Sequence, residues 1–308
     1  MGEEITRKDF LRLVTGGAMA FGLSKFGLAP GLEEPAEAAA GKPLLTVAQN
    51  QTPAAMVRAV VNGLGGMKKF IKPGATVVVK PNAAWQRTPA QACNTNPEVV
   101  AEVVRLCKHA GARVVKVMDN PCDEPADLTF NTNGIRKAVE SAGGIMISGS
   151  NESLYRDIRL PRGKMLKSSR VLRDVTQADF FINVPIAKVH SAVPLTLGLK
   201  NLMGVTHDRG AWHDCPDLNQ AIADYATAIK PHLTIMDAVR VLLTNGPKGP
   251  GRTKDTKMVI ASTDPVAVDA FTAKVVFNME PSAVHYITYA NQFGIGEMDL
   301  RKINIKKV

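Results

Sequence analysis

Apolar residues along this chain fall into short blocks that switch between two patterns. Thr76–Val79, Arg113–Met118 and Asp179–Val184 contain near-continuous apolar runs of strand length, the pattern of strands buried on both faces. Leu44–Val47, Ile145–Ile147, Leu233–Met236 and Lys257–Ala261 are shorter strand candidates, and Ile303–Lys307 suits an edge strand. Between them the period becomes helical. In Pro53–Phe70, Met56, Val60, Leu64 and Met67 share one face. Pro97–Ala110 has Asn96 as N-cap and Gly111 just beyond its end. Asn133–Ala142, Leu218–Ile229 and Ser282–Phe293 also read as helices. Asp264 and Pro265 open a helix that runs to Val276, with Asp as cap and Pro at the first helical position. No unit of 20–50 residues repeats. Strands alternating with helices predict an α/β fold: a mainly parallel sheet with helices on both faces. A polar stretch at 150–175 reads as an irregular insertion and 198–216 as a long loop.

In such a sheet, ligands bind beyond the carboxyl ends of the strands. Five predicted strands end in polar groups: Lys80-Pro81-Asn82, Asp119-Asn120, Pro185 to His190, Asp237, and Ser262 to Asp264. If the strands are parallel, these groups converge on one edge. Asp264 is read as a helix cap only. The loop after Leu197 gathers Lys200, Asn201, His207, Asp208, Arg209, Trp212, His213, Asp214 and Cys215 between glycines. Lys80, Asn82, Asp119, Lys200, Asn201, Arg209 and Asp237 are therefore candidate ligand-binding residues. Lys188, His190 and His213 are candidate acid/base groups. His109, His232 and His285 sit on or beside regular elements and read as structural.

Imidazole and thiolate also suit a metal ion. His207, His213, Cys215, Cys93 and Cys122 form the candidate metal set, although His-x5-His-x-Cys is not a structural zinc spacing. Cys107 falls on the apolar face of its helix. For Cys93, Cys122 and Cys215 three alternatives stand: a Cys93–Cys122 disulfide, a metal or iron–sulfur centre, or neither.

Composition narrows the function classes. The 308 residues are 45% hydrophobic and 21% charged, ordinary for a globular chain. The net charge is +10, but the basic residues are scattered and aromatics make up only 5%. Neither a basic stripe nor a base-stacking platform is present, which argues against a nucleic-acid partner and leaves a small anionic molecule as the expected one. Dinucleotide, Walker, G-x-S-x-G and HExxH motifs are absent.

Thr6-Arg7-Lys8-Asp9-Phe10-Leu11-Arg12 resembles the twin-arginine export motif, with Lys8 in place of the second arginine. A Gly-rich apolar stretch, Leu13 to Leu28, and small residues at Ala36–Ala40 follow in signal-peptide order. The expected organisation is a signal peptide and linker over 1–40 and a single α/β domain over 41–308. The expected location is the periplasm or another site outside the cytoplasmic membrane, with the twin-arginine translocase as export partner.

Lys80-Pro81-Asn82, Lys188-Val189-His190, Gly198-Leu199-Lys200-Asn201-Leu202-Met203-Gly204, Leu233–Asp237 and Ala261 to Asp269 together resemble the prokaryotic family called domain of unknown function 362, over about residues 44–275. Some members of that family carry ferredoxin-like iron–sulfur modules, but this sequence has no CxxCxxC cluster. The α/β pattern and the Lys/His loops also allow a fold-level analogy to the nickel-dependent lactate racemase family. The expected function is an exported cell-envelope protein with a metal- or anion-binding site at the sheet's carboxyl edge and a redox or acid/base role. The alternatives are a non-catalytic binder of a small anion and an accessory subunit of an exported redox complex.

Overall fold

The two-faced burial expected of the apolar runs is visible in β2 (Thr76–Pro81), where Val77 and Val79 enter one hydrophobic core and Val78 enters another. The computed structural model describes residues 41–308; the signal-peptide and export readings of residues 1–40 lie outside them. β1 (Leu44–Gln49) and helix α1 (Pro53–Gly63) precede β2. Helix α2 (Pro97–His109) leads to β3 (Val114–Asp119), and helices α3 (Ala126–Thr132) and α4 (Ile135–Ser141) lead to β4 (Ile145–Ser148). The 150–175 insertion is a hairpin of β5 (Tyr155–Arg159) and β6 (Ser168–Leu172), followed by the short helix α5 (Arg173–Gln177).

β7 (Phe180–Val184), β8 (Ile186–Val189) and β9 (Leu195–Thr196) come next. The expected loop at 198–216 is largely helical: α6 (Gly198–Asn201), a 3-10 turn over Leu202–Val205, and α7 (Arg209–Asp214). Helix α8 (Leu218–Ala226) precedes two ten-residue strands, β10 (Leu233–Leu242) and β11 (Thr253–Ser262). Helices α9 (Pro265–Phe277) and α10 (His285–Gln292) and strand β12 (Asn304–Lys307) end the chain. The helix starts are set by side-chain caps. Asn96 accepts the Glu98 N–H, Asp217 those of Asn219 and Gln220, and Asp264 that of Ala267.

The main sheet runs β12-β1-β11-β10-β7-β2-β3-β4. β10, β7, β2, β3 and β4 are mutually parallel. The chain lays β2, β3 and β4 outward in one direction and then places β7 on the other side of β2. The space beyond β2 and β7 is thus a switch point, where α/β sheets bind ligands. β11 is antiparallel to both of its neighbours, which corrects one expectation. Ser262 pairs with Thr234 at the start of β10, so Ser262–Asp264 lie at the opposite edge from the other strand ends.

Beyond Val184 the sheet parts. Val184 still pairs with Pro81 of β2, but Ile186 of β8 pairs with Asp237 of β10. β8 turns back through β9, with Lys188 opposite Thr196. The helices divide between the faces. α1, α2 and α4 cover one core, while α8, α9, α10 and the β5–β6 hairpin cover the other.

Candidate functional site

Where β8 leaves β2, a cavity of about 280 Å³ opens at the carboxyl ends of β2 and β3. Lys80 is the last residue but one of β2, Asp119 ends β3, Lys188 lies on β8, and α6 brings in Lys200 and Asn201. α6 is held in place by Asp269 of α9, whose carboxylate accepts the N–H groups of Gly198 at 2.7 Å and Leu199 at 2.9 Å. A side chain at position 198 would crowd that carboxylate, since a β-carbon there would stand 2.7 Å from Asp269 Oδ1.

The floor is a buried polar network. Lys80 Nζ meets Asp119 Oδ1 at 2.8 Å, with both side chains 1% exposed. Lys80 also donates to Pro81 O and to Asn201 Oδ1. Asp119 Oδ2 accepts the Ala83 N–H at 2.6 Å. Asn201 accepts from Asn82 Nδ2 at 3.1 Å and donates to Asn183 Oδ1 at 2.8 Å. Every partner in this network is satisfied, as burial requires.

Three groups on the walls differ. Lys188 Nζ donates to Cys93 O and to Asn82 Oδ1, both uncharged acceptors. Among the described residues Lys200 Nζ has only the thioether of Met203, at 3.3 Å. The Thr196 hydroxyl is buried without a hydrogen-bond partner. A buried ammonium without an oxygen acceptor and an unpartnered hydroxyl on the same cavity wall are costly unless a ligand completes them.

The charge balance is one-sided. Lys80, Lys188, Lys200 and Arg209 line the cavity against one carboxylate, Asp119, which is already paired with Lys80. Arg209 is held by the carbonyls of Asn120 at 2.7 Å and Pro121 at 2.8 Å and lies 3.1 Å from Cys122 Sγ. Burial pushes Lys188 down to about 7 and Lys200 down to about 8. Lys80 is also lowered by burial, with Asp119 opposing. His190 is lowered to about 3, first by burial and then by Lys200 and Lys188, so its imidazole is neutral. Its Nδ1 accepts the Ala192 N–H at 2.9 Å, which leaves the proton on Nε2. His213 is lowered for similar reasons. Trp85 forms an aromatic wall, with Lys188 and Lys248 each 5.9 Å from its ring centroid.

The cavity thus brings together Lys80, Asn82, Asp119, Lys188, His190, Lys200, Asn201, Arg209 and His213 from the sequence reading. Asp237 lies elsewhere. It is buried within β10 rather than at a strand end, and it accepts the N–H groups of Asn96 at 2.7 Å and Val239 at 2.9 Å. Burial raises it to about 6.

The candidate metal set does not converge, because each member has a different local partner. His207 faces Asp208 and the Tyr155 ring, Cys215 Sγ donates to Trp212 O at 2.9 Å, and Cys93 is buried with Ile186 and Leu242. Only Cys122 and His213 reach the cavity. Cys93, Cys107, Cys122 and Cys215 are all free thiols. Among the described residues no three His, Cys, Asp or Glu side chains are grouped to hold a metal ion. Sequence reasoning missed Thr196, Trp85 and Gly204. Of these, only Gly204 stood in a motif already singled out.

Residues 77–274 match the family model described as Domain of unknown function (DUF362). The chain belongs to the DUF362 family. The DUF362 segment runs from β2 into α9 and contains every residue that lines the cavity. A thylakoid-associated protein of Synechocystis sp. is 29% identical over 256 residues, covering 78% of this chain and 75% of that protein. Two solved structures are also similar. A Thermotoga maritima protein aligns at 10% identity with a TM-score of 0.41, over 78% of this chain and 58% of that one. The lactate racemase apoprotein of Thermoanaerobacterium thermosaccharolyticum aligns at 12% identity with a TM-score of 0.43, over 76% of this chain and 57% of that one. The chain thus spans less than three-fifths of either solved structure. Among the described residues no helix is long and apolar enough to cross a membrane.

Proposed function

We propose that this chain is an exported envelope protein that binds a small, multiply charged organic anion between β2 and β8, with Lys188, His190 and His213 available for proton transfer. One observation carries this reading. Among the described residues Lys200 Nζ has no oxygen partner and the Thr196 hydroxyl has no hydrogen-bond partner, yet both are buried and line a cavity whose cationic groups outnumber its single carboxylate. An anion supplies the missing acceptors and offsets the buried charge. The cavity, about 280 Å³, suits a compact metabolite rather than a cofactor. Export rests on the twin-arginine-like run Thr6 to Arg12.

Calorimetric titration of the full chain with citrate, succinate and phosphate tests the reading. At least one anion binds with one-to-one stoichiometry, and Lys200→Met weakens it roughly ten- to hundredfold, the equivalent of about 1.5–3 kcal/mol. Unchanged affinity in Lys200→Met, or no binding by the wild type, removes the reading. If the bound anion is recovered unaltered under every condition, the protein is a binder and not an enzyme.

A further inference from the structure

We propose that Lys188 is an amine nucleophile that condenses with the carbonyl group of a small oxo acid, whose carboxylate sits on Lys200. This rests on the anion-binding reading above.

A neutral amine has two N–H bonds and one lone pair, whereas an ammonium has three N–H bonds. Lys188 Nζ has two acceptors, Cys93 O and Asn82 Oδ1, both uncharged. Those acceptors satisfy a neutral amine completely and leave its lone pair free. An ammonium would keep one N–H with no oxygen acceptor, facing only the Trp85 ring 5.9 Å away, and among the described residues no carboxylate pairs with it. Lys80 is the contrast, with a carboxylate at 2.8 Å. Lys80 and Lys188, two of the three buried lysines of this cavity, are thus built for different protonation states. Burial and neighbouring cations activate lysine amines in this way.

The second observation is placement. Thr196 is the register partner of Lys188 in the β8–β9 ladder. Directly opposed residues in an antiparallel ladder have their β-carbons about 5 Å apart on the same face. The unpartnered Thr196 hydroxyl therefore stands beside Lys188 on the cavity wall, where it can donate to a carbonyl oxygen under attack. Lys200 offers a charged anchor with no oxygen partner.

In the reaction, the Nζ lone pair forms a bond to the carbonyl carbon while the C=O π pair moves onto oxygen, held by the Thr196 O–H. Transfer of one nitrogen proton to that oxygen gives the carbinolamine. The oxygen then leaves as water with the second nitrogen proton, and the imine remains. No oxidant or reductant is consumed.

The test is reductive trapping. The full chain is incubated with pyruvate and cyanoborohydride, digested, and mapped by mass spectrometry. The expected result is one reduced adduct, on Lys188. Acetone, a neutral ketone of similar size, labels about tenfold less, and Thr196→Val slows labelling about tenfold, as loss of one hydrogen bond predicts. Pyruvate binding seen by calorimetry without a Lys188 adduct overturns the amine role and leaves anion binding intact. Labelling spread over surface lysines, equal to that of the unfolded chain, also overturns it. No heat of binding with pyruvate, citrate or phosphate removes both readings together.

Discussion

The backbone of Gly204 lies so close to the carboxylate of Asp119 that a β-carbon at position 204 would overlap Asp119 Oδ1, and Lys80 Nζ as well. Gly204 O also accepts the Asn120 N–H at 2.8 Å. The glycine is required by space, because the 3-10 turn roofs a buried ion pair at backbone distance. Gly204→Ala should therefore displace the turn, lower stability by about 1–3 kcal/mol as overpacking does, and abolish anion binding. Urea unfolding and calorimetry of one preparation check both outcomes; a variant that binds normally would show that the turn gives way without cost.

Among the described residues Asp119 is the one carboxylate paired with Lys80. Asp119→Ala leaves a buried ammonium unpaired and should cost about 3–5 kcal/mol. Removing the charge as well, in Lys80→Met with Asp119→Ala, should recover part of that loss. Urea midpoints for the two single variants and the double variant give the coupling directly.

Stability should rise with pH above neutrality when no anion is bound. The unfolded chain holds its lysine protons up to about the ordinary value of 10.5, whereas folded Lys188 releases its proton at about 7 and Lys200 at about 8. Between those limits the unfolded state binds more protons, so each unit of pH favours the folded state. The buried acids Asp269, raised to about 7, and Asp237, raised to about 6, act with the opposite sign but below this window. Anion affinity should fall over the same range as the lysines discharge. From pH 7 to about 8.5, below the range where the buried thiols titrate in the unfolded chain, the ligand-free melting temperature should rise, the ligand-saturated one should stay nearly flat so that the two converge, and Lys188→Met should flatten the ligand-free rise.

Cys122 is exposed and lines the cavity, whereas Cys93 and Cys107 are buried. Burial raises all three thiols, and Arg209 opposes this only at Cys122 among its nearest groups. Lys188 and Arg87 oppose it at Cys93, but that thiol lacks access. Iodoacetamide should therefore modify Cys122 before Cys93 and Cys107, and a bound anion should slow the reaction. Time-resolved peptide mapping measures this; protection absent at saturating anion would place the ligand away from Arg209.

Much of the site was legible because buried strands ending in Lys80, Asp119 and the Lys188 segment stand out against their apolar runs. The parallel core followed from the same alternation. Two errors have identifiable causes. Asp237 read as a strand end because the apolar run Leu233–Met236 stops at it, but the alternation from Asp237 to Leu242 continues the strand, and pairing with β11 holds it there. The direction of β11 was hidden by the same short reading. With both strands ten residues long, the link 243–252 is too short for a crossover and demands a hairpin. Thr196 carried no signal. A single threonine in Pro194-Leu195-Thr196-Leu197 gives no sign that its hydroxyl is orphaned, since that depends on which strand it faces.

The parting of the sheet after Val184 has a mechanical consequence. Strand pairing stitches β7 to β2 as far as Pro81, and beyond that point the two lips are bridged by side chains, Lys188 to Asn82 among them. The anion proposed above, reaching Lys200, Arg209 and Lys188, would act as a rivet across a seam that the backbone leaves unsewn. The stiffness of this edge would then depend on how much of that anion surrounds the protein, and amide exchange along β8 would serve as a gauge of its concentration.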